Sequence, residues 1–184
     1  NGLEMMPTSP GIRVQSSIDR AFGNGGNGGV TQAGFECWPD SWFAIEGWAE
    51  TGSFAETISE RRTRITREFD KIESSDVDAL AKAYLYFGFG REARQVLELD
   101  NQLSPMRLAL ISMAQVIDGD VVDPPLPQQQ ISCDASVALW AFLAASPRDL
   151  TIDGNGAAII RNFRGLPLHL QLQNLGPPGL RGLT

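Results

Sequence analysis

Apolar residues recur at helical spacing through most of the chain beyond residue 35. Leu80, Tyr84 and Phe87 fall at i, i+4 and i+7, and Ala93, Val96 and Leu97 form a second stripe shortly after. Gly88 and Gly90 lie between them, where a chain reversal calls for residues free to take positive φ. The pattern predicts two short helices folded against each other. Upstream, Phe54, Ile58, Ile65, Phe69 and Ile72 mark the apolar stripe of the longest predicted helix, over 54–73. Ser53 and Glu56 supply a capping box at its start, and Ser74, Ser75 and Asp76 are expected to break it and cap the hairpin.

Downstream, Met106, Ala109, Leu110, Met113, Val116 and Ile117 predict a helix that opens at Ser104-Pro105 and stops at Gly119. The Pro-rich stretch 118–130 is too long for a tight helix turn. Asp134 is the expected cap of a helix over 135–145, where Val137, Leu139, Trp140, Phe142 and Leu143 leave little polar face, so burial on most sides follows. Another helix is predicted from about Gly154-Asn155 to Gly165, with Ala157, Ile160 and Phe163 inward. The last segment alternates at Leu168, Leu170 and Leu172, yet Leu168, Leu172 and Leu175 also fit a helix. Helix is the expectation, because a lone strand among helices lacks a ladder partner.

The N-terminal part reads differently. Pro7, Pro10 and the run from Gly23 to Gly29 cannot build a core, which predicts a flexible arm over 1–34 followed by a helical domain over 35–184. The glycine run lacks the Gly-Lys-Ser/Thr ending of a phosphate loop, and its chance fit of Gly23, Gly25 and Gly28 to a dinucleotide fingerprint has no helix behind it. From Phe35 the sequence turns aromatic. Trp38, Trp42, Ile45 and Trp48 keep helical spacing behind Pro39, predicting a short helix that docks on the body. Trp38, Trp42 and Trp48 are also the candidate lining of a carbohydrate or ligand groove, although packing is the favoured role.

Val77, Leu80, Ala81, Tyr84, Ala93, Leu97 and Pro105 stand at the spacing of large apolar, Leu, small, Tyr, Ala, apolar and Pro residues. In this the stretch around 74–107 resembles a tetratricopeptide repeat. It departs from that pattern at Val77, where the family favours Trp, and at Asp100, where a small residue would ease packing. The resemblance implies an all-α fold, an array of antiparallel helix hairpins winding into an α-α superhelix. It also implies a concave groove that binds a protein or peptide partner.

Charge and candidate chemistry narrow the function. A net charge of −7 and a pI near 4.7 argue against nucleic acid and against anionic membrane surfaces. The longest apolar run, Val137 to Ala145, is well short of the ~20 residues of a membrane span. The chain opens at Asn1-Gly2 without an initiator Met and reads as a piece of something longer, so a missing targeting segment leaves location open. Arg61, Arg62, Arg64 and Arg67 interleave with Glu56, Glu60, Glu68 and Asp70, which predicts a solvated face with i, i+4 pairs rather than an anion site. Asp118, Asp120 and Asp123 miss the calcium-loop spacing and read as a solvated acidic loop.

Cys37 and Cys133 are too far apart for a CxxC site. They are either two small buried hydrophobes or one disulfide, and the disulfide reading places the chain in a periplasmic or secreted setting. His169 is the single histidine, without a nearby nucleophile or metal-ligand spacing, and no pair stands out among the 22 acids. No catalytic residue, cofactor or metal is expected. The sequence therefore supports a non-enzymatic interaction module, with a glycan- or ligand-binding domain as the alternative.

Overall fold

The computed structural model describes residues 29–31, 33–49, 52–67, 72–145 and 154–173. Among these the fold is all-α, with seven α-helices and, in place of strands, one isolated antiparallel bridge between Val30 and Glu36. Residues 1–28 of the predicted arm, including most of the glycine run, lie outside the described residues. Residues 29–31 are paired with residues 35–37, Cys37 N donating to Gly29 O at 2.9 Å.

Helix α1 spans Phe54–Arg67. Its capping box forms as the sequence predicts: Ser53 Oγ accepts from Glu56 N at 3.3 Å, and the Glu56 carboxylate accepts from Ser53 N at 3.0 Å. The helix is described only to Arg67, so the expected Phe69 contact lies outside the described residues, and Ile72 is exposed. Helix α2, Ser74–Tyr86, has Glu73 as its cap residue in extended conformation and no side-chain cap. Ser74, Ser75 and Asp76 are thus its first turn rather than a cap, with Asp76 placed where a negative charge favours the helix N-terminus.

The reversal after α2 uses its two glycines differently. Gly88 takes φ +84°, as the sequence predicts. Gly90 is helical, and a Cβ there would stand 2.3 Å from the Ala114 carbonyl oxygen, so this glycine serves a close helix approach. Helix α3 covers Gly90–Leu97 and α4 covers Pro105–Asp118. Ser104 Oγ caps α4 through Arg107 N at 3.2 Å, Pro105 opens it, and Gly119 closes it at φ +73°. Val77, Leu80, Ala81, Tyr84, Ala93 and Leu97 are all buried, and Pro105 is exposed at the start of α4. Helix α2 packs on α1, α3 and α4, and α3 on α4.

A 3-10 turn at Gln128–Ser132 leads into α5, Val137–Ala144, whose residues 137–141 are all buried. Asp134 does not cap this helix; it is exposed and pairs with Arg161 at 2.8 Å. The cap residue is Ser136, without a side-chain cap, and its N–H donates to Asp40 Oδ1 at 2.6 Å across 96 residues of sequence. Helix α6, Gly156–Gly165, is capped by Asn155 and turns Ala158, Ile159 and Phe163 inward. Ala157 and Ile160 are exposed, contrary to the periodicity reading. The register is set by Asn162, whose amide reaches Ala135 O and pins the neighbouring face inward. Helix α7, Leu168–Leu172, is helical as predicted but buries Leu170 and leaves Leu168 and Leu172 exposed; Leu175 lies outside the described residues. Helix α5 packs on α4 and α6.

The segment 38–48 is not one helix. It forms two 3-10 turns, Asp40–Trp42 and Ile45–Gly47, separated by Ala44 at φ −74°, ψ 62°. Phe43 and Ile45 are fully buried in the common core. Anchors from distant parts of the chain hold the segment, and they override its helical periodicity.

Candidate functional site

Four features could carry function, and each is assembled from sequence-distant residues. The first is a groove of about 490 Å³ between α1, α2 and α3. Ile65, Leu80, Tyr84, Val96 and Leu99 give it apolar walls, while Arg62, Glu92 and Gln95 bring charge and hydrogen-bonding groups to its edge. Arg61 donates to Ala79 O and to Trp48 O, both at 3.1 Å, tying α1 to α2 and to the N-terminal segment. The expected solvated arginine face is therefore only partly so. Arg64 makes the i, i+4 pair with Glu60 at 2.6 Å, whereas Arg61 is a clamp. Phe54, expected in the core stripe, is 40% exposed and stacks obliquely on the equally exposed Phe89 at 4.9 Å, beside the rings of Phe87 and Tyr84.

Second is a buried ionic knot under the hairpin. Arg107 is 2% exposed, with Nε donating to Asp78 at 2.7 Å and Nη2 to Asp100 at 2.8 Å. Nη1 also bonds Asp100, and the carbonyls of Gln102 and Ser74 accept from the guanidinium at 3.0 and 3.3 Å. Hydrogen bonds from Arg107, only partly opposed by burial, hold the Asp100 carboxyl well below the usual carboxylate range. The same bonds raise Arg107 further, against the effect of burial. Asp100 thus answers a buried arginine. Sequence reasoning missed this knot. Its signal was a charged residue, Arg107, inside the apolar run of α4, with Asp100 seven residues before it.

Third is the junction of the N-terminal segment with the body. Cys37 and Cys133 are joined, with sulfurs 2.09 Å and Cα atoms 5.9 Å apart. The Gln130 amide lies alongside as a two-way bridge, accepting from Trp38 N at 2.9 Å and donating to Glu36 O at 3.0 Å. The three candidate ligand tryptophans do not form one surface. Trp38 and Trp42 meet edge to face at 5.6 Å and are each half-buried, with Trp38 stacked on Phe43. Trp48 stands apart, buried, with Lys82 Nζ 5.6 Å from its ring centre. Burial lowers the Lys82 pKa, with Asp78 opposing that shift.

Fourth is the region of His169, whose Nε2 lies against the Tyr86 carbonyl and whose ring meets that of Tyr86 at 5.5 Å. Of the three aspartates in the acidic loop, Asp118 and Asp120 both accept from Arg94, at 3.0 and 2.7 Å. Among the described residues no group of three or more His, Cys, Asp or Glu side chains is arranged to hold a metal ion, and no helix is long and apolar enough to cross a membrane. No protein-family model, curated protein or solved structure matches the chain.

Proposed function

We propose that this chain is a non-enzymatic protein- or peptide-interaction module, that its 74–105 hairpin is a tetratricopeptide-like unit, and that a partner segment seats in the groove between α1, α2 and α3. The observation that carries this reading is the groove itself. Leu99 is exposed and Ile65 half-buried above a floor of buried Leu80, Tyr84 and Val96, with Arg62 and Glu92 at the edge. Such a surface suits a peptide that inserts one or two large apolar side chains and flanks them with charges of both signs. Its volume is too small for a folded domain and ample for two anchoring side chains. The chain's only histidine is engaged by a backbone carbonyl, which also speaks for binding rather than acid–base chemistry. The disulfide suits an oxidising compartment, periplasmic or secreted.

Selection of a random peptide library on the folded chain tests the proposal. Enriched peptides should carry an apolar anchor and shift amide resonances at Val96 and Leu99, and Leu99→Asp should abolish their binding while leaving the circular dichroism unchanged. Peptides that bind equally well to the Leu99→Asp chain would overturn the groove. The glycan alternative rests on the partly exposed Trp38–Trp42 pair. It predicts oligosaccharide quenching of tryptophan fluorescence that disappears in Trp42→Leu.

A further inference from the structure

A separate cavity of about 550 Å³ lies where Glu46, Ala49 and Gly52 meet the α2–α3 turn and α7. Its wall includes Glu46, Tyr86, Phe87, His169 and Gln173. Phe87 and Tyr86 stand at 87° with centres 5.0 Å apart, and Tyr86 continues edge to face into His169. The wall is thus a run of three rings. The Gln173 amide closes one side, in the space that Gly88 leaves by having no side chain: a Cβ on Gly88 would come within 2.6 Å of that amide.

The electrostatics of this wall have one sign. Among the described residues Glu46 carries its only carboxylate, and no Lys or Arg lines it. That carboxylate is exposed and has no ion pair or hydrogen bond among the described residues. The Tyr86 carbonyl can only accept, so His169 Nε2 donates to it and the ring is held against Tyr86. Aromatic rings and a carboxylate without counter-charge favour positive charge. An anion would meet no cation here, and a wholly apolar ligand would strip water from Glu46 without compensation.

We propose that this cavity binds an organic cation, an ammonium or guanidinium group. Glu46 supplies the counter-charge and the rings of Phe87 and Tyr86 supply cation–π contact. The cation comes either from a free amine or from a basic side chain of a protein, and the recognition chemistry is the same. The chain's net charge of −7 draws either source toward the surface. This site is distinct from the groove beside α1, and neither depends on the other.

The test is an NMR titration of the whole chain with choline, agmatine and N-acetyl-lysine methylamide, with 3,3-dimethylbutan-1-ol as the uncharged carbon analogue of choline. Saturable shifts are expected at Glu46, Phe87, His169 and Gln173 with the cations and not with the alcohol. Glu46→Gln, an exposed substitution that should leave the circular dichroism intact, should weaken binding at least about tenfold, as loss of a charge-assisted contact does. Tighter binding of choline or agmatine than of the lysine derivative assigns the site to free amines; the reverse order assigns it to a protein side chain. Equal binding of the alcohol, an unchanged affinity in Glu46→Gln, absence of saturable shifts, or shifts confined to Val96 and Leu99 would each overturn the proposal, the last by moving the cation to the groove.

Discussion

The hairpin of α2 and α3 and the segment 29–48 reach the same core by opposite routes. The hairpin is local. Its buried residues come from two neighbouring stripes, and one glycine turn folds them together. The N-terminal segment buries Phe43 and Ile45 just as deeply, but a disulfide, the Gln130 amide bridge and the Asp40–Ser136 hydrogen bond hold it, each spanning more than 90 residues. Where ties are local, periodicity decides the backbone. Where they are remote, they decide it instead, and a stretch with helical spacing becomes two short 3-10 turns.

Removing the disulfide should break this comparison open most widely. The sequence separation of 96 makes a loop for which chain entropy gives roughly 4–5 kcal/mol. In Cys37→Ala/Cys133→Ala, native-state hydrogen exchange should show Phe43 and Ile45 amides losing protection before those of Leu80 to Leu85. Equal loss across both regions would mean that the segment and the hairpin fold as one unit.

The ionic knot is where the hairpin itself depends on remote partners. Arg107→Met leaves Asp78 and Asp100 without their buried counter-charge and should cost about 3–5 kcal/mol. The pH dependence has a definite sign. Asp100 has a lowered folded pKa, so its contribution is fully present above the unfolded carboxylate pKa and is lost as pH falls toward the folded value. Wild type should therefore lose stability steeply below about pH 4, and Arg107→Met should show a flatter slope there. Parallel acid-unfolding curves would remove the knot from the account.

Within the hairpin, Leu97→Ala tests whether local packing suffices. Leu97 is 5% exposed, and truncation of such a buried leucine costs about 2–5 kcal/mol. A loss below about 0.5 kcal/mol, measured by urea unfolding, would show that α3 does not rely on this stripe.

Legibility in the sequence follows the same division. The capping box at Ser53 and Glu56, the αL Gly119 and the hairpin stripe were readable because each interaction spans only a few residues. The faces of α6 and α7 were misread because local periodicity cannot say which side a partner will cover: Asn162 and His169, reaching Ala135 O and Tyr86 O, set those registers. The groove residues were largely named as helix positions, yet nothing in their spacing reveals that Leu80, Tyr84, Val96 and Leu99 meet Arg62 and Ile65 across an open cleft. The disulfide was left as one of two readings because distance in sequence carries no geometry.

The smallest effect sharpens the comparison best, because two aspartates compete for one role. Sequence points to Asp134 as the cap of α5, two residues before Ser136; in the structure Ser136 is the cap residue, without a side-chain cap, and its N–H donates to Asp40. Asp40→Ala should cost about 1 kcal/mol, the usual net loss for one hydrogen bond. Asp134→Ala should change stability by less than about 0.5 kcal/mol, because its partner Arg161 is exposed and surface pairs contribute little. In the chain lacking the disulfide the Asp40 effect should shrink, since a released segment no longer presents its carboxylate to Ser136. Thermal unfolding of the two single variants and of Asp40→Ala combined with Cys37→Ala/Cys133→Ala reads all three numbers. A larger loss in Asp134→Ala than in Asp40→Ala would return the role to its local candidate, and full additivity with the cysteine changes would separate the hydrogen bond from the disulfide that carries Asp40 into place.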